Sequence, residues 1–133
     1  MPVDRQTVTA PSAPVAVGPY SHAVRAGGLL FCSGQVPLDP ATGVLVPGGP
    51  AEQVRRCLEN LEAVCGAAGA TLRDAVRMTL YLTDLPGAYA EVNGAYGEWF
   101  ADDPPARVAI GVAALPAGAQ VEVDAVVALA ASG

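Results

Sequence analysis

The chain has 133 residues, of which 52% are apolar, and a formal net charge of −6; this length and composition predict one domain over 1–133 with its own hydrophobic core. All of its basic residues are arginines and it has a single histidine, so Schiff-base lysines are excluded and two-histidine zinc sites or ordinary catalytic triads are disfavoured. An acidic chain with no basic run and no phosphate-binding glycine motif is also a poor candidate for binding nucleic acid or nucleotides.

The N-terminal part of the chain predicts strands. Residues 1–19 are rich in proline and alanine and should be extended, with a short strand near 6–10. The stretch that follows is typical of a β-hairpin, with strands over 20–25 and 29–36 and the Gly27-Gly28 pair at its turn.

Between 50 and 68 the apolar residues recur at helical spacing. Pro50 suits a first helical position and Gly69 suits a C-terminal stop. The apolar stripe of this predicted helix consists of Val54, Leu58, Leu61, Val64, Cys65 and Ala68. We expect Cys57 and Cys65 to lie in the core.

The C-terminal half adds three strands and a second helix. The run 75–82 is rich in β-formers and predicts a buried strand, and Asp84 can cap a helix that follows it. Its predicted apolar stripe is Tyr89, Val92, Tyr96, Trp99 and Phe100. The runs "ARVAIGVAAL" and "VEVDAVVAL" predict the last two strands. This order predicts an α+β fold, a six-stranded mixed sheet with two helices packed on one face.

The cysteines and the hydropathy pattern bear on location. Cys32, Cys57 and Cys65 have no CxxC spacing and are typical of reduced thiols in a cytoplasmic protein. The N-terminal residues lack the basic start and apolar run of a signal peptide. No segment reaches the roughly 18 uninterrupted apolar residues of a membrane span, so we expect no contact with a membrane.

A lone cation in the strand "PPARVAIGV" is the first candidate for chemistry. Alternation places Arg107, Ala109 and Gly111 on one face of this strand. Arg107 either binds the carboxylate of a substrate, with Glu122 on a neighbouring strand holding a water, or forms a structural salt bridge with Glu122. The residues alone leave both interpretations open.

Other polar residues stand in apolar surroundings. Asn93 lies on the stripe of the second helix and either bonds a loop backbone, which spacing favours, or faces a ligand. Tyr20 either covers the core or closes over a small ligand. Ser33-Gly34 is either an ordinary bulge or a point of close approach to a ligand. His22 is most simply a surface or hydrogen-bonded histidine.

Taken together, the chain resembles the reactive intermediate deaminase (Rid, or YjgF-like) family. The stretches that carry the resemblance, in the family's order, are "GPYSHAV", "CSGQVPLDPATG", "QVRRCLENLEAVCGAAGATLRDAVRMTLYLTDL", "VNGAYGEWF", "PPARVAIGVAALP" and "VEVDAVVA". The resemblance implies a chorismate-mutase-like fold and a homotrimer with sites at the subunit interfaces. It also implies hydrolysis of 2-aminoacrylate-type enamines or 2-imino acids to 2-oxo acids and ammonia, in metabolite damage control, with no cofactor and no metal.

Carried over by position, the resemblance makes Arg107 the carboxylate-binding arginine and Glu122 the water-holding glutamate. It makes Tyr20, Ser33, Gly34 and Asn93 residues of the pocket. Where archetypes of the family carry a cysteine, this chain has Ala109, whose backbone N–H can still bind a carboxylate oxygen.

Two alternatives remain beside this activity. One is non-catalytic binding of small 2-oxo or amino acids, and the other is a related deaminase for a different unstable amine. The charge of −6 argues against a ribonuclease.

Overall fold

A computed structural model describes residues 3–131 and contains one six-stranded mixed sheet and two α-helices. The strand order is β1-β2-β3-β6-β4-β5. Neighbouring strands are antiparallel except β4 and β5, which are parallel. The predicted α+β architecture is confirmed. No helix among the described residues combines the length and the apolar character needed to cross a bilayer.

The first three strands form a meander: β1 is Gln6–Val8, β2 is Ala23–Ala26 and β3 is Leu29–Gln35. Gly27 and Gly28 join β2 to β3 with φ of 58° and 82°, the left-handed backbone that a tight hairpin turn requires. The prediction that the first hairpin strand begins at residue 20 is wrong by three residues. The regular pairing stops at Ala23↔Cys32 because β3 bulges just beyond that pair.

Helix α1, Pro50–Ala67, covers one face of the sheet. Its predicted stripe is buried in the core, as are both of its cysteines. Glu52 accepts a hydrogen bond from the backbone N–H of Gly49 at 3.0 Å, which satisfies one of the free donors at the helix start. Gly69, with φ of 73°, ends the helix in the left-handed conformation that glycine adopts without strain.

Strand β4, Ala75–Leu82, pairs in parallel with strand β5, Ala106–Gly111. Helix α2, Leu85–Gly97, connects the two strands along the chain as a crossover. Asp84 caps α2 by accepting from the N–H of Gly87 at 3.2 Å. The helix packs against α1. It ends before Trp99 and Phe100, so these two residues continue the predicted stripe only as part of the following turn.

Strand β6, Val121–Ala128, lies between β3 and β4. Its odd-numbered residues are buried under α1, and its even-numbered residues, including Glu122 and Asp124, point to the opposite face. We call this second surface the open face, since no helix of the described part of the chain covers it. It presents apolar side chains to solvent: Phe31, Val108 and Ile110 are 45%, 38% and 40% exposed.

Candidate active site

Four of the residues singled out from the sequence lie together at one end of the open face. They line a cavity of about 330 Å³. Its lining consists of Val17, Tyr20, Ser33, Gly34, Val36, Pro116 and Glu122. We call this group the glutamate half of the site. Its walls are mainly apolar, and one carboxylate points into it.

A β-bulge brings the backbone of β3 up to that carboxylate. Cys32 pairs with Ala125 and Gln35 with Val123, so Ser33 and Gly34 together oppose the single residue Asp124. A Cβ atom on Gly34 would overlap Oε2 of Glu122. The structure confirms the bulge at Ser33-Gly34. The group that comes close to Gly34 is Glu122, and the approach of a ligand to this backbone stays a prediction.

Ser33 is fixed within this bulge by two hydrogen bonds. Its hydroxyl donates to the carbonyl oxygen of Ser21 at 2.6 Å, and its backbone N–H donates to the carbonyl oxygen of His22 at 3.0 Å. Because the hydroxyl proton is committed to Ser21, the Ser33 oxygen can act toward other groups only as an acceptor.

The electrostatics of the cavity raise the pKa of Glu122. Burial raises the pKa of its carboxyl above the ordinary 4.5, and the charge of Asp124 raises it further. Tyr81 donates to Oδ2 of Asp124 at 2.8 Å, and this hydrogen bond, more than burial, raises the pKa of Tyr81 to about 12. Glu122 is therefore poised to exchange a proton closer to neutrality than an exposed glutamate.

Arg107 lies in a second cluster, on the helix-covered side of β5. Its Nη1 donates to Oδ1 of Asn93 at 2.8 Å and its Nη2 to the hydroxyl of Tyr89 at 3.1 Å. The guanidinium carbon lies 4.9 Å from the ring centroid of Tyr96 and 5.8 Å from that of Tyr89, within cation–π range. We call these four residues the arginine half of the site.

The arginine half leaves donors for a ligand. Of the five N–H groups of Arg107, two are used by Asn93 and Tyr89. Within residues 3–131 no carboxylate lies within 4.0 Å of this guanidinium. The side-chain oxygen of Asn93 therefore bonds the arginine and not a loop backbone, and its contact with a ligand stays a prediction.

Tyr96 forms the buried floor of the arginine half. Burial raises the pKa of its phenol to about 12 although the Arg107 charge opposes the shift. Its hydroxyl is the one buried side-chain polar atom without a hydrogen-bond partner in the described part of the chain. What Tyr96 offers Arg107 is thus its ring.

The two halves do not meet within one chain. Arg107 is opposite Met78 of β4, whereas Glu122 is opposite Tyr81, three residues further along, and the two side chains point to opposite faces of the sheet. The structural salt bridge between Arg107 and Glu122 is therefore not formed. Ala109 lies on the same side as Arg107, half-buried against the core.

Three residues of the site were missed by reading the sequence for function. Tyr89 and Tyr96 appear there as members of an apolar stripe, although their spacing of four and three residues from Asn93 places all three on one helix face. Asp124 follows Glu122 by two residues and so shares its face of β6. These spacings were the available signals.

The cysteines do not contribute to the site, and the described residues offer no cluster of side chains for a metal ion. Burial, above all, raises the pKa of the Cys57 thiol, and a hydrogen bond with Cys32 followed by burial raises that of Cys65. Thiols of this kind are poor nucleophiles. Residues 3–131 contain no group of three or more His, Cys, Asp or Glu side chains that could hold a metal ion.

Comparisons with known proteins agree on one family. A family model described as endoribonuclease L-PSP matches residues 10–129. The protein DfrA of Myxococcus xanthus is 48% identical over 124 residues, covering 92% of this chain and 94% of that one. The 2-iminobutanoate/2-iminopropanoate deaminase of Mus musculus is 42% identical over 122 residues, covering 92% and 90%. The crystal structure of E. coli TdcF with bound serine has a TM-score of 0.88 at 34% identity, covering 94% and 99%.

Proposed function

The chain belongs to the endoribonuclease L-PSP family, to which the Rid and RutC proteins also belong, and from this membership we propose that it is an enamine and imine deaminase. It would hydrolyse 2-aminoacrylate-type or 2-imino acids to 2-oxo acids and ammonia, without a cofactor. A relative 42% identical carries the name of this activity. The observation that carries the proposal is Glu122, a carboxylate of raised pKa in a cavity of about 330 Å³ beside Ser33 and Gly34.

The chemistry asks for little beyond what this cavity offers. An enamine tautomerises to an imine, and the imine carbon accepts water directly. Glu122 takes a proton from water as the water oxygen bonds the carbon of the protonated imine, which gives a neutral carbinolamine. Glu122 then delivers this proton to the nitrogen and takes the hydroxyl proton as the C–N bond breaks, so that ammonia leaves and a 2-oxo acid remains. A carboxyl group of raised pKa suits both the base and the acid step.

Arg107 supplies the other requirement, which is to hold the substrate's carboxylate. A guanidinium binds a carboxylate with two parallel hydrogen bonds, and Arg107 retains three free donors among the described contacts. The solved structure of TdcF with bound serine shows that a member of this fold accommodates a small amino acid. We assign Tyr20, Ser33, Gly34, Asn93 and Ala109 to the substrate-binding surroundings of these two residues.

Completing the site requires a second subunit. Arg107 and Glu122 lie on opposite faces of the sheet, so one small substrate cannot reach both in a single chain. We propose a homotrimer in which the glutamate half of one subunit faces the arginine half of its neighbour. The exposed apolar side chains of the open face support this assembly, because a surface of this kind is usually covered by a partner.

The decisive experiment generates imines in place. An amino-acid oxidase produces 2-imino acids continuously, and a carbonyl or imine trap added after short intervals measures how much remains. The protein should shorten the lifetime of the imine in proportion to its concentration. Light scattering at micromolar protein should give the mass of a trimer; a monomer that hydrolyses imines would rule out the interface site, and a trimer without turnover would rule out the deaminase.

A non-catalytic carboxylate binder is the second candidate. Relatives such as DfrA and the RutC family proteins carry names without an activity, and Ala109 removes the thiol that archetypes have. Under this alternative the protein binds 2-oxo acids without turnover, and under a third it acts on a different unstable amine.

A cytoplasmic location and a role in metabolite damage control belong to the proposal. The single histidine and the charge of −6 disfavour ribonuclease chemistry.

A further inference from the structure

His22 has no part in the chemistry above, yet it is buried beside the site. It is the single histidine of the sequence, only 7% exposed, and it lies two residues after Tyr20. Both ring nitrogens are engaged by backbone. The N–H of Ala10 donates to Nδ1 at 2.9 Å, and Nε2 lies 2.8 Å from the carbonyl oxygen of Pro14.

These two contacts fix the form of the ring. Because Nδ1 accepts a proton from Ala10, it carries none of its own, and Nε2 must hold the hydrogen that is donated to Pro14. The imidazole is therefore neutral and in the Nε2–H tautomer. Each contact also satisfies a backbone group that burial would otherwise leave without a partner.

The segment held in this way forms one wall of the glutamate half. Within the described chain, the two bonds to His22 are the only hydrogen bonds that tie residues 10–20 to a residue outside that segment. At its far end Val17 and Tyr20 line the cavity, and the N–H of Val17 donates to the hydroxyl of Tyr20 at 3.3 Å. Beyond Val15 the segment has no buried residue.

The opposite wall of the cavity is attached to the same residue. The carbonyl oxygen of His22 accepts from the N–H of Ser33 at 3.0 Å, so its main chain is fixed to the bulge while its side chain holds the segment 10–20. We propose that His22 is a positioning residue, which sets the distance between the wall that carries Val17 and Tyr20 and the wall that carries Ser33 and Gly34. For its effect on substrate, this inference rests on the proposed function.

The test compares three variants. His22→Ala removes both hydrogen bonds, and His22→Gln keeps one acceptor and one donor. Ser21→Ala is the control, because the Ser21 side chain lies beside the same segment but forms no hydrogen bond with it. We expect His22→Ala to raise KM for imino acids roughly tenfold with kcat within about twofold, since Tyr20 bounds the cavity rather than transferring a proton. His22→Gln should recover most of the loss, and Ser21→Ala should match the wild type.

Hydrogen exchange followed by mass spectrometry reports on the segment without any substrate. The amides of Ala10 and Ala13, which are hydrogen-bonded in the segment, should lose protection in His22→Ala and regain it in His22→Gln. In the wild type, the ¹⁵N shifts of the single imidazole should show the Nε2–H tautomer, a reading that needs no variant to fold. An Nδ1–H tautomer, or protection unchanged in His22→Ala, would overturn the hydrogen-bonded attachment.

Loss of protection without a change in KM would overturn the link to the site. If the wild type turns over no imine, the proposed deaminase fails, but calorimetric binding of 2-oxobutanoate to the same variants still decides the positioning role. A tenfold weaker Kd in His22→Ala, restored in His22→Gln, would support it, and equal Kd values would overturn it.

Discussion

The two halves of the site are built in opposite ways. Arg107 is held by hydrogen bonds to Asn93 and Tyr89 and lies against the ring of Tyr96, so its position is set before any ligand arrives. Glu122 is desolvated beside Asp124, and among residues 3–131 no hydrogen bond or cation offsets the resulting rise in its pKa. A group that binds a fixed charge gains from being held in place, whereas a group that transfers a proton gains from an environment that destabilises its charged form.

Replacing Glu122 with glutamine should have the largest effect. The amide keeps the size of the side chain but cannot take up a proton, so we expect kcat for imine hydrolysis to fall by about 100-fold or more. Binding of 2-oxobutanoate, measured by calorimetry, should change by less than about threefold. Unchanged turnover would show that another group handles the proton.

The same variant should shift stability with pH in a defined direction. Because the pKa of Glu122 is raised in the folded protein, the folded state binds more protons than the unfolded state above the ordinary value of 4.5, and stability falls as pH rises through that window. Glutamine does not titrate. The denaturant concentration at the unfolding midpoint should therefore be higher for Glu122→Gln than for the wild type near about pH 7. The difference between the two midpoints should shrink toward about pH 4.

Arg107 should tolerate replacement by lysine hardly better than replacement by alanine. Lysine keeps the charge but loses the planar pair of donors, at a cost of about 1.5–3 kcal/mol or roughly ten- to a hundredfold in kcat/KM. Chemical denaturation and light scattering would serve as controls. If Arg107→Ala unfolds the chain or changes its mass in solution, the arginine half is a structural cluster and not a substrate anchor.

Gly34→Ala tests the contact between the bulge and the carboxylate. The added Cβ would overlap Oε2 of Glu122, so the carboxylate must turn away and kcat/KM should fall by about tenfold. Gly66→Ala is the matched control, since a Cβ at Gly66 in α1 meets no atom within 4 Å. That variant should stabilise the protein by up to about 1 kcal/mol at wild-type activity, and equal losses in both variants would refute the contact.

The smallest expected effects distinguish what a tyrosine hydroxyl contributes to the arginine half from what a tyrosine ring contributes. Tyr89→Phe removes one hydrogen bond to Arg107 and should raise KM roughly fivefold with little change in kcat. Tyr96→Phe keeps the ring under the guanidinium and removes a hydroxyl that has no partner within residues 3–131, so activity should not change. A loss in Tyr96→Phe would mean that this hydroxyl binds a group supplied from outside the chain.

Most helices and strands could be predicted because the residue spacings that specify them lie within short stretches of the chain. The helical spacing of apolar residues gave α1 within one residue, and the strand over 75–82 is β4 without change. The strand over 29–36 ends one residue early, at Gln35. The prediction was wrong where an element's bounds depend on its pairing with another element. The first hairpin strand is an example, because its pairing ends where the bulge in β3 begins.

The arrangement of the site could be predicted less well. Alternation placed Arg107 and Ala109 on one face of β5, as the structure has them. It could not say that Glu122 points to the other face, because that depends on strand order and register, which are fixed by pairings far apart in the chain. The bond between Asn93 and Arg107 was missed for the same reason, since it joins a helix to a strand 14 residues away.

The strand that carries Arg107 is also the last in the sheet, so one of its edges has no neighbour among the described strands. A short edge with Val108 and Ile110 exposed is a template on which other chains can add strands and aggregate. Pro104 and Pro105 directly precede it and have no N–H to offer an incoming strand. These two prolines therefore limit how far an added strand could extend its pairing beyond the start of β5.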